Sequence, residues 1–386
     1  MTSRAEIDRR HDNIRRAAER AGLDAVLVCG SEYTGFEGAL RYVSGFRIVH
    51  RYAYALIPVE SDPVCVYPQE ARWVGDHQGT FVADRVFVDT PGTWMRDRFR
   101  ERGFRRVGVH GLDFVMPVRD YRELSRGEAD LVPFDEELDL ARAVKSEEEI
   151  AEVRDSMAIN QAGMAAVLEA YRPGRTEAEL MGAAEAVFTS RGAGRLTMDM
   201  ILSGPDGAVT PEMVMPDHER PIEPGDLLLY GLEVAGPAGY WVEFSRPISG
   251  RPVSPETQRM LEAYQEHHEI AGSVMRDGVT AHEAHRAASQ PFRERGWRLG
   301  HVTGHSIGMT MIEHPRVGEG LDVALRENMV ISMHPHVIAP DERTCLYMQD
   351  TWRVGSTAGE ALAAVPVRVL DGAPESAALV RPARPA

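Results

Sequence analysis

The chain has 386 residues, of which 43% are hydrophobic and 26% are charged, and 43 Lys+Arg against 59 Asp+Glu give a formal net charge of -16 at pH 7. This composition is typical of a globular protein and excludes extensive disorder or low complexity. The acidic balance excludes a generally basic nucleic-acid binder. The length predicts two domains, or one large domain with an appendage.

The cysteines and the start of the chain indicate the compartment. Cys29, Cys65 and Cys345 lie far apart and form no CxxC pair, which argues against a zinc ribbon or a disulfide framework. Residues 1–16 are polar, and no stretch of about 20 apolar residues could cross a bilayer. We therefore expect a cytoplasmic protein that binds a small molecule and neither nucleic acid nor membrane.

Helical and strand patterns alternate over the first third of the chain. A helix is predicted over 7–22, and short apolar runs predict strands at 25–30, 52–59, 63–68, 86–90, 106–111 and 130–135. The second and third of these runs read as a hairpin. Alternation of this kind predicts an α/β domain over residues 1–142.

The rest of the chain begins with helices and ends with strands. Helices are predicted at 145–171, 176–192 and 254–275, and the first two start with capping boxes. Strand-like runs lie between and after these helices, at 226–234, 239–248, 329–338 and 344–354. This order predicts an α+β domain with an antiparallel sheet over 143–370. Residues 371–386, rich in Ala, Pro and Arg, are expected to form a frayed tail.

Polar residues interrupt segments that otherwise have the pattern of buried strands. They are Glu243 in YWVEF, His334 and His336 in ISMHPHVI, and Gln349 with Asp350 in LYMQDTW. Burying such a group without a partner costs about 1–3 kcal/mol, and more for a charge. A metal ion could satisfy several of them together, whereas any one alone could simply be hydrogen-bonded within the protein.

Residues 300–315 hold three further histidines, His301, His305 and His314. His301 and His305 have the spacing of a helical zinc-binding pair, but three glycines in the same stretch favour a strand or a loop. At this level a ligand pair and a loop of solvated histidines both remain open.

Together these segments resemble one known family. GDLLLYGLEVAGPAGYWVEFSRPI (225–248), GHSIG (304–308), MVISMHPHV (329–337) and YMQDTW (347–352) are similar, in this order, to the catalytic domain of the creatinase, aminopeptidase P and prolidase family, M24. The resemblance implies a creatinase-type α/β N-terminal domain, then an α+β pita-bread domain with a curved antiparallel sheet. It also implies a homodimer.

The family's metal ligands can be carried over position by position. Two aspartates of a β-hairpin fall on Gly231 and Glu243, and the histidine of a GHGIG-like turn falls on His305. Two glutamates of later strands fall on His334 and Gln349. The resemblance therefore implies a two-metal site reduced to one metal, held by Glu243, His305, His334 and Gln349.

Glu233 is a further candidate ligand, because strand alternation puts it on the same face as Gly231. A dimethylsulfoniopropionate-lyase branch of the family is similar in carrying an extra acid near this position. Two imidazoles and a carboxylate suit one divalent transition metal such as Fe, Zn or Mn. The same composition is that of the facial triad of non-haem iron enzymes.

Two histidines that act in the family are replaced. The catalytic histidine of creatinase falls on Val209, and a substrate-contacting histidine of the peptidases falls on Ile312. We therefore expect neither creatinase chemistry with that base nor typical proline-specific peptide hydrolysis. The candidates for substrate binding are His301, His314, Tyr240, Trp352 and Arg246, although the aromatic residues also fit a core and the arginine also fits a partner of a buried acid.

Three functions fit the sequence. The first is a divergent hydrolase or lyase acting on a C–N or related bond of a small polar substrate, with one metal or none and with Glu243, His305 and His334 as catalytic residues. In the metal-free version Glu243 is the general base. The second is a mononuclear non-haem iron enzyme that activates O2, and the third is a non-catalytic binding protein that kept the fold.

Overall fold

The computed structural model describes residues 2–33, 35–193, 197–209 and 211–382. The chain divides into two compact units, the first comprising Met1–Ala143 with Met309–Met311 and the second Val144–Gly308 with Ile312–Ala386. In the described ranges, no helix combines the length and the apolar character that crossing a bilayer requires.

The first unit alternates helices and strands, as the sequence predicts. Its elements are α1 (Arg4–Arg20), β1 (Ala25–Ser31), α2 (Gly38–Ser44), β2 (Tyr52–Pro58), β3 (Val64–Pro68), a 3₁₀ helix (Gln69–Arg72), β4 (Asp84–Val88), α3 (Pro91–Arg102), β5 (Arg106–His110), α4 (Val118–Leu124), β6 (Asp130–Pro133) and α5 (Asp135–Ala143). Helix α1 begins earlier than predicted because the Ser3 hydroxyl accepts a hydrogen bond from the Glu6 amide.

One six-stranded mixed sheet organises this unit, in the order β4-β3-β2-β1-β5-β6. The predicted hairpin is present as the antiparallel pair β2–β3, whereas β1–β5, β5–β6 and β3–β4 are parallel. Strands β1 and β3 are buried along their whole length, which explains why they read as unbroken apolar runs. The α/β prediction for this part of the chain is confirmed.

The second unit contains the remaining helices and strands. They are α6 (Glu147–Ala170), α7 (Glu177–Ser190), β7 (Thr197–Pro205), β8 (Asp226–Ala235), β9 (Trp241–Glu243), β10 (Ile248–Ser249), α8 (Pro255–Val274), α9 (Ala281–Glu294), β11 (Arg298–Leu299), β12 (Gly304–Ser306), β13 (Glu313–Val317), β14 (Val330–Met333), β15 (His336–Ile338), β16 (Cys345–Tyr347), β17 (Asp350–Arg353), β18 (Glu360–Ala361) and α10 (Pro374–Val380).

Both predicted capping boxes are present. Ser146 and Glu149 exchange side-chain and backbone hydrogen bonds at the start of α6, and Thr176 and Glu179 do the same at the start of α7. Each box satisfies amide groups that a helix leaves without intrahelical partners. The two helices pack against each other, and α6 also packs against β8 and β9.

The strands of the second unit form antiparallel sheets, as predicted. Strand β8 pairs with β7 on one edge and with β9 and β10 on the other. The other two sheets have the orders β11-β15-β16 and β13-β12-β14-β17-β18. An apolar core around Leu227, Met260, Phe292 and Leu346 packs helices α8 and α9 against strands.

Two runs predicted as single strands are each divided between two sheets, whereas the run 239–248 is divided into β9 and β10 within one sheet. The run 329–338 breaks into β14 and β15 at His334, and the run 344–354 breaks into β16 and β17 at Gln349. In both cases the two halves belong to different sheets. The first break has a simple cause, because Pro335 has no amide hydrogen for a ladder. Both breaks fall on residues that carry the candidate chemistry.

The tail also differs from the sequence-based expectation. Residues 374–380 form α10, in which Ala377 and Val380 are buried, and this helix packs against α6. Leu370 forms a bridge with Ile248 just before it. Small apolar side chains are thus sufficient to anchor a segment whose composition suggested fraying. Residues 383–386 lie outside the described ranges.

Candidate metal centre

Three side chains from separate strands converge in the second unit. Glu243 ends β9, His305 lies in β12, and His334 directly follows β14. One potential ligand atom from each lies within 4.8 Å of the others, and all three residues are buried. Within the described ranges this is the one such group of three or more His, Cys, Asp or Glu residues. The sequence-based candidates Glu243, His305 and His334 are therefore together in space.

The protonation of His305 follows from its surroundings. Its Nδ1 atom lies 3.0 Å from the backbone oxygen of Ser306. Because a carbonyl oxygen can only accept, Nδ1 carries the hydrogen and Nε2 is left with a lone pair. Burial lowers the pKa of His305 to about 4, so the ring is neutral near pH 7.

The lone pair of His305 faces the carboxylate of Glu243. Nε2 of His305 lies 3.4 Å from Oε1 of Glu243, which is longer than an ordinary hydrogen bond. Ligand atoms held about 2.0–2.2 Å from a tetrahedral ion are themselves about 3.4 Å apart. The pair therefore has the spacing of two ligands of one cation.

His334 adds a third donor in the same place. Its Nε2 atom lies 4.0 Å from Oε2 of Glu243, and neither ring nitrogen has a hydrogen-bond partner among the described residues. A buried polar group without a partner is costly. Burial, followed by the neighbouring His305 and His301, lowers the pKa of His334 well below its usual value, so the ring stays neutral and able to bind a metal.

The Glu243 carboxylate is held by its neighbours. Its Oε2 atom accepts hydrogen bonds from the Ser332 hydroxyl at 2.6 Å and from Nε2 of Gln349 at 3.2 Å. Burial raises the pKa of Glu243 to about 7, and these two hydrogen bonds oppose the shift. The backbone of Glu243 is fixed by Thr351, whose hydroxyl accepts from its amide at 2.9 Å and donates to its carbonyl at 2.8 Å.

The donor set thus fits a divalent transition metal. It offers two neutral imidazoles and one oriented carboxylate, the residue types that bind Zn and Fe in proteins. All three residues are buried, and both ring nitrogens of His334 have no hydrogen-bond partner within the described ranges. A cation here would satisfy the lone pairs that the fold leaves facing one another.

Glu233 and Gln349 lie beside this group in a different arrangement from the predicted one. Glu233 is directly opposite Glu243 in the β8–β9 pair. The Gln349 amide donates to Oε1 of Glu233 at 2.9 Å, and its oxygen accepts from the Leu232 amide at 3.1 Å. Gln349 was expected as a ligand, and in the structure its oxygen accepts from a backbone amide while its nitrogen faces the carboxylates.

Aromatic rings lie beside the candidate metal centre formed by Glu243, His305 and His334. The His301 ring centroid lies 5.1 Å from that of His334 and 5.6 Å from that of His336. Tyr347 lies 5.8 Å from His336 and 6.4 Å from His334. His301 is the exposed member of this set, so it is the histidine placed to meet a molecule arriving from solvent.

Three residues predicted to bind substrate have other partners in the structure. Arg246 is fully buried and donates to both carboxylate oxygens of Asp350, at 2.8 and 3.1 Å. It also donates to backbone carbonyls of 245, 349, 365 and 366. Every guanidinium nitrogen is therefore already used, and the partnership with a buried acid replaces the predicted substrate contact.

Tyr240 and Trp352 are likewise part of the packing. The Tyr240 hydroxyl donates to Oε1 of Glu149 on α6 at 2.8 Å. The Trp352 ring is 3% exposed and lies 4.7 Å from the ring of His268 on α8. Both side chains face helices, so their aromatic character serves the core.

The remaining positions discussed from the sequence are His314, Ile312 and Val209. His314 lies in β13, where the pairing with β12 shifts register, and is not a member of the three-residue group. Ile312 is 44% exposed, and Val209 is buried in the apolar core. Neither Ile312 nor Val209 can replace the histidine that the family has there, since neither side chain can bind a proton.

Ser332 and Thr351, which position Glu243, were not among the residues predicted from the sequence. The available signal was the strand period, because Ser332 precedes His334 by two residues and Thr351 follows Gln349 by two. Residues two apart on a strand share a face, so polar side chains at these positions in apolar runs had a reason to point toward the same site.

Comparisons with known proteins agree with this architecture. A family model described as the Creatinase/Prolidase N-terminal domain matches residues 10–144, and one described as Metallopeptidase family M24 matches residues 151–356. The uncharacterized peptidase YqhT of Bacillus subtilis is 26% identical over 335 residues, covering 86% of this chain and 91% of that protein. The probable dipeptidase PepE of Mycobacterium bovis is 31% identical over 207 residues, 52% of this chain and 53% of that protein.

Solved structures show the same fold. The dipeptidase PepE from Mycobacterium ulcerans aligns with a TM-score of 0.80 at 23% identity, covering 95% of this chain and 98% of that chain. A recombinant prolidase from Thermococcus sibiricus aligns with a TM-score of 0.81 at 20% identity, covering 96% and 100%. The predicted creatinase-type domain followed by a pita-bread domain is confirmed.

The family model covers more than half of the chain, and the group of Glu243, His305 and His334 lies on the strands within that match. These relatives support an enzyme of the creatinase and peptidase type. The residues that the family model matches include Glu243, His305 and His334, which could hold a metal ion, and the chain belongs to metallopeptidase family M24.

Proposed function

We propose that this protein is a hydrolase with a single divalent metal ion, which cleaves the C–N bond of a small polar amide or peptide-like substrate. The observation that carries the proposal is the convergence of Glu243, His305 and His334, whose potential ligand atoms lie within 4.8 Å of one another. The relatives named as dipeptidases support the reaction class. A bound metal would activate water as nucleophile and polarise the substrate carbonyl.

The side chains of this site have separate roles in the proposal. His305 and His334 hold the metal as neutral ligands, because burial keeps both rings unprotonated. Glu243 is the charged ligand, and the Ser332 hydroxyl orients it. The exposed His301 beside His334 contacts the substrate at the entrance.

The substrate class differs in the proposal from that of typical proline-specific peptidases. Ile312 and Val209 stand where the family has functional histidines, and no group capable of proton transfer replaces them at those positions. We therefore expect activity on amides that need no such contact. Activity confined to Xaa-Pro dipeptides would contradict this part.

A substrate panel tests the reaction class. The purified protein is loaded with Zn²⁺, Mn²⁺ or Fe²⁺ and incubated with N-acyl amino acids, with dipeptides lacking proline and with Xaa-Pro dipeptides. Released amine is then measured, with His334→Ala as the control. Metal-dependent amine release that His334→Ala loses supports the proposal, and an inactive panel with all three metals argues against hydrolysis.

One specific observation favours a second candidate function. Two imidazoles and one carboxylate are also the ligands of mononuclear iron enzymes that activate O2. Oxygen consumption by the Fe²⁺-loaded protein distinguishes the two, since hydrolysis consumes none. Oxygen uptake without amine release would replace the hydrolase proposal with this one.

Assembly and location are also proposals. We expect a cytoplasmic homodimer, as the family resemblance implies. Light scattering of the purified protein would show about twice the 42.8 kDa mass of one chain, and a monomer would contradict the expectation.

A further inference from the structure

A second buried carboxylate, that of Glu233, lies next to the candidate metal centre formed by Glu243, His305 and His334. Glu233 and Glu243 are direct partners across the antiparallel pair β8–β9, and they are 5% and 1% exposed. Two buried carboxylates that face each other across a strand pair repel each other when both are ionised. They therefore require a bound proton, a bridging cation or a shared hydrogen-bond donor.

Gln349 supplies the shared donor. A single atom, Nε2, lies 2.9 Å from Oε1 of Glu233 and 3.2 Å from Oε2 of Glu243. A primary amide nitrogen carries two hydrogens, so it can donate one to each carboxylate. The nitrogen therefore lies between the two acids, in the space that a cation bridging them would need.

The orientation of this amide is determined by its other end. Oε1 of Gln349 lies 3.1 Å from the backbone nitrogen of Leu232, which can only donate. The opposite orientation would set the amide oxygen against two carboxylates and the NH₂ group against an N–H. Hydrogen-bond complementarity thus selects the arrangement in which nitrogen faces both acids.

A glycine provides the room for this arrangement. A β-carbon added at Gly231 would lie 3.3 and 3.4 Å from Oε1 and Nε2 of Gln349. A longer acidic side chain at 231 would extend into the volume that the amide occupies. Gly231 and Gln349 are therefore complementary, one by leaving space and the other by filling it.

We infer that Gln349 limits this centre to one metal ion, because its amide nitrogen takes the place of a second cation between Glu233 and Glu243. The inference rests on the proposed metal centre, in which Glu243, His305 and His334 hold the one ion. It assigns Gln349 as a positioning residue and Glu233 as a carboxylate satisfied by the protein. A carboxylate at 349 would remove both donated hydrogens and add a third acid to the same space.

Metal stoichiometry after loading tests this inference. Wild type, Gln349→Glu and the double variant Gln349→Glu/Glu233→Gln are loaded with excess Mn²⁺, desalted and measured by elemental analysis. The expected values are one equivalent for wild type, two for Gln349→Glu and one for the double variant. The double variant is the matched control, because it restores an amide beside Glu243.

The outcomes separate the inference from the proposed function. One equivalent in wild type and one in folded Gln349→Glu overturns the inference and leaves the metal centre intact, as do two equivalents in wild type. No metal in wild type contradicts the proposed centre itself. If Gln349→Glu does not fold, electron paramagnetic resonance of wild type, loaded with Mn²⁺ and then desalted, decides: an isolated Mn²⁺ signal is expected, and a spin-coupled pair overturns the inference.

Discussion

The Ser332 hydroxyl donates a hydrogen bond of 2.6 Å to Oε2 of Glu243, and both side chains are buried. Replacing this serine by alanine removes the shorter of the two hydrogen bonds to Oε2, so the carboxylate should be held less firmly in position. Loss of such an outer partner typically weakens metal binding about 10- to 100-fold. We expect this loss for Ser332→Ala, measured as the Kd for Zn²⁺ by competition with a chromogenic chelator.

The matched control for this experiment is Ser289→Ala. Ser289 is also buried, but its hydroxyl donates to the His285 carbonyl within helix α9. Its substitution should leave the Kd unchanged. Equal Zn²⁺ affinity in Ser332→Ala and wild type would show that the hydrogen bond does not orient the ligand.

Thr351 should contribute to folding through its clamp on the Glu243 backbone. Thr351→Val removes the hydroxyl that accepts at 2.9 Å and donates at 2.8 Å, and leaves a buried amide and carbonyl without that partner. We expect a loss of about 1–3 kcal/mol in the free energy of unfolding, measured with urea in the presence of chelator. Thr351→Ser keeps the hydroxyl and should lose clearly less; an unchanged free energy of unfolding in Thr351→Val would show that the hydroxyl does not stabilise the fold.

Arg246 should matter for stability. Arg246→Met leaves Asp350 buried without its two charged donors, and breaking a buried pair typically costs about 3–5 kcal/mol. Urea unfolding should show a loss of this size. The control Arg4→Met removes a pair whose side chains are 80% and 51% exposed and should have a much smaller effect. An unchanged stability in Arg246→Met would reopen a role in substrate binding.

His267 should make the protein sensitive to acid independently of the metal centre. Its Nδ1 lies 2.7 Å from the Ala288 carbonyl, and burial lowers its pKa to about 4. In the unfolded chain the group titrates near pH 6.5. The unfolded state therefore binds a proton that the folded state does not bind. The contribution of His267 to the free energy of unfolding is fully present above about pH 6.5 and is lost as the pH falls toward 4.

This contribution can be isolated with His267→Gln. Between pH 7 and pH 4.5, in chelator, the free energy of unfolding of this variant should fall by roughly 2–3 kcal/mol less than that of wild type. His218→Gln, at a side chain that is 82% exposed, should retain the wild-type slope. Parallel curves for wild type and His267→Gln would contradict the assignment.

Local signals predicted much of the fold. The boxes that begin α6 and α7 were readable because each is made by residues three apart, and the same signal is present at Thr280 and Glu283 before the unpredicted helix α9. Strand β7 was missed, because Asp199 and the Gly204–Pro205 end obscure its pattern. The break at His334 has a local cause in Pro335, whereas the break at Gln349 depends on which sheet each half joins, and distant strands determine that.

The grouping of the candidate ligands was predictable from the sequence, and their hydrogen bonds were not. Polar residues in apolar runs indicated Glu243 and His334, and the family resemblance indicated His305. The orientation of Gln349 could not be read in this way, because it depends on an amide 117 residues earlier in the chain. The choice between the roles left open for Arg246 and Tyr240 could not be made for the same reason, since their partners are 104 and 91 residues away.

The central claim is that Glu243, His305 and His334 hold one metal ion. The most direct test is elemental analysis of wild type and His334→Ala, both purified without chelators and both confirmed to be folded by circular dichroism. We predict one equivalent of a divalent transition metal in wild type and less than about one tenth of that in His334→Ala, since one of three ligands is lost. Equal metal content in the two proteins, or none in wild type after loading, would contradict the claim.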